Sequence, residues 1–147
     1  MRAILDNNIL ISALLSPLGA PARILDAWEQ KLFTLIACDE LINELRDVSG
    51  RSFFRARLRA GAVELLAISI QDLALYCHDL PTGPVTPDPK DSYLLALAEA
   101  GEADYLVTGD KKLLALDRHK TTRIVSAREF AALFDGGSPT PARPRSE

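Results

Sequence analysis

The chain has 147 residues, 48% of them hydrophobic and 25% charged, which suits one compact domain with a core of its own and makes a second domain unnecessary. A formal net charge of -3 excludes a protein that coats nucleic acid through a globally basic surface, although Arg46, Arg51, Arg55, Arg57 and Arg59 crowd one mid-chain stretch. Cys38 and Cys77, the two cysteines, make neither a disulfide framework nor a zinc-ligand pattern, and no run of about 18 apolar residues marks a signal peptide or membrane span. A soluble, cytoplasmic protein with reduced thiols and no membrane partner is expected.

In chain order, residues 3–5 read as a short buried strand, and after Asp6, Asn7 and Asn8 the apolar positions Ile9, Leu10, Ala13 and Leu14 recur at helical spacing. A second helix is expected over 22–30, then a strand over 33–38. Asp39 is expected to cap a helix that carries Leu41, Ile42, Leu45 and Val48 on one face and Glu44 on another. Residues 53–72 read as one or two helices, although 68–70 could be strand. Pro81, Gly83, Pro84, Pro87 and Pro89 predict an extended loop, since each proline bars its predecessor from helical geometry, and this brings the chain stiffly to Asp88. A helix over 90–100 ending at Gly101, strands over 105–107 and 123–125, and a helix over 127–133 complete the pattern. Residues 136–147, rich in glycine, serine and proline, form a tail too polar to order itself, which leaves the domain over 1–135. Alternating strands and helices predict an α/β/α sandwich around a mainly parallel, roughly five-stranded sheet.

In such a sheet the carboxyl ends of the strands share one edge, where ligands bind. Asp6 follows the first strand, Asp110 follows the 105–107 strand after Thr108 and Gly109, and Asp91 opens the helix after the proline-rich loop. Glu44 can join them from its helix. Each acid alone is better explained as a helix cap, a first-turn residue or solvated surface. Together they repel one another, a cost that a bound cation would offset. Mg²⁺ and Mn²⁺ prefer carboxylate oxygen and water, and Mg²⁺ completes its octahedron with substrate phosphates, which points to phosphodiester chemistry. Arg46, Arg51, Arg55, Lys111 and Lys112 are candidates for phosphate contacts or, as readily, solvated surface. His78 and His119 lack metal-ligand spacing, and no nucleophile elbow, P-loop or dinucleotide fingerprint occurs.

The stretch Ala3-Ile4-Leu5-Asp6-Asn7-Asn8-Ile9-Leu10-Ile11-Ser12-Ala13-Leu14-Leu15 resembles the opening motif of PIN-domain nucleases. Asp88-Pro89-Lys90-Asp91-Ser92-Tyr93-Leu94-Leu95-Ala96-Leu97-Ala98 followed by Ala103-Asp104-Tyr105-Leu106-Val107-Thr108-Gly109-Asp110 is similar to that family's second signature. Arg123-Ile124-Val125 with Glu129-Phe130 resembles its closing strand and helix. The resemblance implies a PIN-like fold in which Asp6, Glu44, Asp91 and Asp110 bind Mg²⁺ or Mn²⁺ for catalysis, with Asn8, Thr108 and Asp88 in support. Glu44 is matched through Leu41-Ile42-Asn43-Glu44-Leu45, one turn after Glu40. Asn7 departs from the family, which usually carries threonine there. The resemblance further implies a metal-dependent endoribonuclease of the VapC-like toxin branch, with an antitoxin partner and a homodimeric state. Two rivals remain: a catalytically silent PIN-fold binding protein, and a Mg²⁺-dependent phosphotransfer domain, which also places aspartates at strand ends.

Overall fold

Among residues 1–80 and 89–135, which the computed structural model describes, six strands alternate with eight helices. They are β1 (Arg2–Leu5), α1 (Asn7–Leu15), α2 (Ala20–Glu29), β2 (Thr34–Ala37), α3 (Asp39–Ser49), α4 (Ser52–Arg55), α5 (Ala62–Leu73), β3 (Leu75–Tyr76), α6 (Pro89–Ala100), β4 (Tyr105–Val107), α7 (Lys111–Leu116), β5 (Arg118–His119), β6 (Thr122–Val125) and α8 (Ala127–Asp135). The strands form one sheet in the order β3-β2-β1-β4-β6-β5. All neighbours are parallel except β5 and β6. Ala3, Ile4 and Leu5 of β1 and Leu106 and Val107 of β4 are wholly buried, as expected for central parallel strands covered by helices on both faces. The mixed α/β sheet with flanking helices matches the expected sandwich.

Phe130 of α8 anchors one part of the core, its ring centroid 5.2 Å from that of Phe33 and 5.3 Å from that of Tyr105. The end of α6 approaches β2 so closely that a Cβ on Gly101 would lie 2.7 Å from Ile36 Cγ2. Only glycine fits there without a shift. No single helix among the described residues is long and apolar enough to cross a membrane.

Residues 68–70 follow the helical reading: Leu66, Ala67 and Ile70 are buried while Leu65 and Ile68 are exposed, a helical period, and the strand comes later as the two residues of β3. One local expectation is corrected. Asp39 is the first residue of α3 and not its cap; Cys38 holds that position and makes no side-chain capping bond. The Asp39 carboxylate accepts the Tyr76 hydroxyl at 2.6 Å instead, tying α3 to β3. The sheet also gains a sixth strand, β5, turned back on β6 through Lys120 in the left-handed region (φ 54°).

The strand order places the site. From β1 the sheet grows through β2 to β3 on one side, and from β4 through β6 to β5 on the other. The boundary between β1 and β4 is therefore the topological switch point, where a crevice opens outside the strand ends. Pairing runs past both strands: the Asp6 N–H donates to the Val107 carbonyl at 2.9 Å and the Thr108 N–H to the Val125 carbonyl at 3.0 Å. Asp6 and Thr108 are thus fixed side by side at this crevice.

Candidate active site

Asp6 stands between β1 and α1 with extended backbone (φ -62°, ψ 155°) and only 4% of its surface exposed. Its Oδ1 accepts the Asn7 N–H at 2.7 Å, and its Oδ2 accepts the Thr108 hydroxyl at 2.7 Å. Thr108 is wholly buried and uses both functions of its hydroxyl, since Oγ1 also accepts the Asp110 N–H at 3.0 Å. One threonine therefore links the two aspartate positions across β1 and β4. Asp110 is half-buried and caps α7, its Oδ1 accepting the Lys112 N–H at 2.8 Å. The capping explanation thus holds for both aspartates, as each uses one oxygen on a helix N-terminus at the crevice.

Glu44 enters from α3. It is half-buried, whereas Glu40, one turn earlier, is exposed. Its Oε1 accepts two hydrogen bonds, from Asn7 Nδ2 at 2.5 Å and from the Tyr93 hydroxyl at 2.7 Å. Asn7 touches both acids: its backbone serves Asp6 and its amide serves Glu44. Burial, the bond to Glu44 and the charges of Glu44 and Asp6 all push the Tyr93 phenol upward, so it stays neutral and donates. The Asn7 amide is 3% exposed, and its Oδ1 has no hydrogen-bond partner among the described residues. An unmet buried acceptor costs about 1–3 kcal/mol, yet Asn7 must turn its NH₂ toward Glu44, because a carboxylate can only accept.

Asp91 is the third residue of α6, and the Tyr93 bond to Glu44 brings the beginning of that helix beside α3. The Asp91 side chain and the whole of Asp88 lie outside the described residues. Asn8, expected in support, is exposed, and its Oδ1 accepts the Gly109 N–H at 3.4 Å, a long bond between the two loops. Among the described residues Asp6, Glu44 and Asp110 do not by themselves form a three-acid group that could hold an ion. All the candidate ligands are oxygen donors, which suits a hard divalent cation better than zinc or copper. Cys38 adds no nucleophile, since burial pushes its thiol up to about 12.

The basic candidates divide. Arg46 donates from Nε and Nη2 to the two oxygens of Glu64, both at 3.1 Å, a bidentate clamp of α3 on α5. Arg51 pairs with Asp47 at 3.6 Å, and Arg55 is exposed on α4. Lys111 and Lys112 are exposed in the first turn of α7, directly after Asp110. Tyr93 is the site residue that sequence reasoning missed, and Asn7 entered only as a departure from a motif. Nothing in the 3.6-residue period singles out a tyrosine two positions after Asp91.

Residues 2–112 match the PIN domain family, a span that includes all four acids, Asn7 and Tyr93. The chain belongs to the PIN domain family. No curated protein matches its sequence. PIN domains are generally nucleases of the hydrolase class and usually employ divalent metal ions, so this PIN domain carries a nuclease-like fold. The match ends just inside α7, although β6, beyond it, pairs with β4 and supports Thr108 from behind.

Proposed function

We propose that this PIN domain is a metal-dependent endoribonuclease that hydrolyses RNA phosphodiester bonds and is the toxin component of a toxin–antitoxin pair. The observation that carries this reading is the Thr108 hydroxyl, which joins the Asp6 carboxylate to the backbone of Asp110 at the β1/β4 crevice. Glu44 reaches the same place from α3, joined to Asp6 through Asn7. Asp6, Glu44, Asp91 and Asp110 would hold Mg²⁺ or Mn²⁺. When bound, the ion supplies Lewis acidity toward the phosphate and lowers the pKa of water.

The rest of the work falls to the chain. Thr108 and Asn7 fix the Asp6 carboxylate, which costs little reorganisation because both oxygens are already engaged. Lys111 and Lys112 beside Asp110 offer phosphate contacts that give affinity without base specificity. A homodimer and an antitoxin partner belong to the same proposal, supported by the apolar face of α5, where Leu65 is 70% and Leu73 73% exposed.

The test is RNA cleavage by purified protein with Mn²⁺, wild type against Asp6→Asn, followed by expression of both in a bacterial host with mapping of new RNA ends. Asp6→Asn loses more than about tenfold of the cleavage, because a neutral amide oxygen holds the cation more weakly at unchanged volume. Near-wild-type cleavage by Asp6→Asn overturns the site. Growth unaffected by the active wild-type protein overturns the toxin role, and a solution mass of 16.0 kDa overturns the homodimer.

A further inference from the structure

Two donors from different elements converge on a single oxygen of Glu44, and neither belongs to the expected set of acids. We propose that Asn7 and Tyr93 are positioning residues that act through Glu44: they clamp its Oε1 and so set how the Glu44 carboxylate meets the divalent ion. The inference rests on the reading of these acids as metal ligands.

The geometry is specific. Asn7 Nδ2 approaches Oε1 to 2.5 Å from the N-terminus of α1, and the Tyr93 hydroxyl approaches it to 2.7 Å from α6. The partners lie 37 and 49 residues from Glu44 in the chain, so this one oxygen ties together three elements. Each of the three has a candidate acid on it or directly before it: Asp6 stands immediately before Asn7, Glu44 lies on α3, and Asp91 precedes Tyr93 by two residues on α6. Asn7 also donates its backbone N–H to Asp6 Oδ1 at 2.7 Å. The separation of Asp6 from Glu44 is therefore governed by the covalent frame of one buried residue. Packing alone does not account for Asn7, since its buried amide leaves Oδ1 without a partner among the described residues while Nδ2 serves the carboxylate. An apolar residue of similar size would fill the same space with no orphaned acceptor. What it could not do is direct a charge-assisted hydrogen bond at Glu44. Hydrogen-bond partners of ligating groups orient them and tune affinity in this way.

The test uses the full chain and Mn²⁺ alone, followed by calorimetry and by the electron paramagnetic resonance spectrum of the bound ion. Tyr93→Phe removes one hydroxyl at nearly constant volume and should weaken Mn²⁺ binding by about tenfold while altering the spectrum. Asn7→Ala should act in the same direction; if it fails to fold in chelator, Tyr93→Phe carries the test. In a Glu44→Ala background Tyr93→Phe should change Mn²⁺ binding no further, because the group it acts through is gone. Equal losses in both backgrounds would show a structural role and overturn the proposal. So would wild-type affinity and spectrum in Tyr93→Phe. Wild-type protein that binds no Mn²⁺ overturns the reading of the acids and this inference with it, whereas binding by wild type that Tyr93→Phe leaves unchanged overturns this inference alone.

Discussion

A buried hydroxyl decides how firmly the two aspartate positions are joined. Thr108→Val keeps the shape of Thr108 but deprives Asp6 Oδ2 of its donor and the Asp110 N–H of its acceptor. The loss of a buried hydrogen bond on both sides predicts a destabilisation of about 1–3 kcal/mol, measured from the denaturant midpoint, while Thr108→Ser should recover most of it. Equal stability of Thr108→Val and wild type would mean that the bridge does not hold the loops. Asp6, Thr108 and Asp110 were legible in the sequence because their placement is local: each follows a buried strand and precedes a helix. Glu44 could be read only as a helix position, since its orientation depends on contacts with Asn7 and Tyr93 far along the chain. No period or spacing encodes such a meeting, and so the polar floor of the site stayed hidden while its aspartates did not.

Between elements, the joint of α6 with the β5 hairpin is electrostatic. Glu99 near the end of α6 is bonded to His119 Nε2 at 2.7 Å and accepts from Lys120 Nζ at 2.9 Å, and these partners lower its carboxyl below the ordinary 4.5. A carboxyl whose folded pKa is depressed adds stability above its unfolded value and loses it as pH falls through the folded one. The stability difference between wild type and Glu99→Gln should therefore be full near pH 6 and shrink steadily below about pH 4.5, in denaturant melts at stepped pH. A difference that persists unchanged to pH 3 would show that charge is not the cause. Just past the same end of α6, Gly101→Ala forces a Cβ against Ile36 and should cost about 1–3 kcal/mol, less when Ile36 is also cut to alanine. Additive losses in that double mutant would mean the contact is not the strain. Elements such as β1, α1, β4 and α8 were legible because buried runs or helical periods of several residues mark them. β3 and β5, of two residues each, are too short to show alternation, and only their neighbours in the sheet define them.

For the molecule as a whole, the gathering of acids should appear as a link between cation and stability. Asp6 and Glu44 act together on Tyr93, and the start of α6, which carries Asp91, is held beside them. Carboxylates kept close in the folded chain and apart in the unfolded one destabilise the fold, and a cation bound only by the fold reverses this. At a hundredfold excess over Kd the gain is about 2.7 kcal/mol. For a chain of this length that raises the melting temperature by roughly 5–10 °C in Mn²⁺ relative to chelator. Asp91→Asn removes one negative charge, so without metal it should melt no lower than wild type, and its response to Mn²⁺ should be smaller. The opposing explanation is that Asp91, in the first turn of α6, serves only the positive end of the helix. Losing such a charge lowers stability by a similar amount with and without metal. If Asp91→Asn melts lower than wild type by the same margin in chelator and in Mn²⁺, Asp91 belongs to the helix end and not to the metal site.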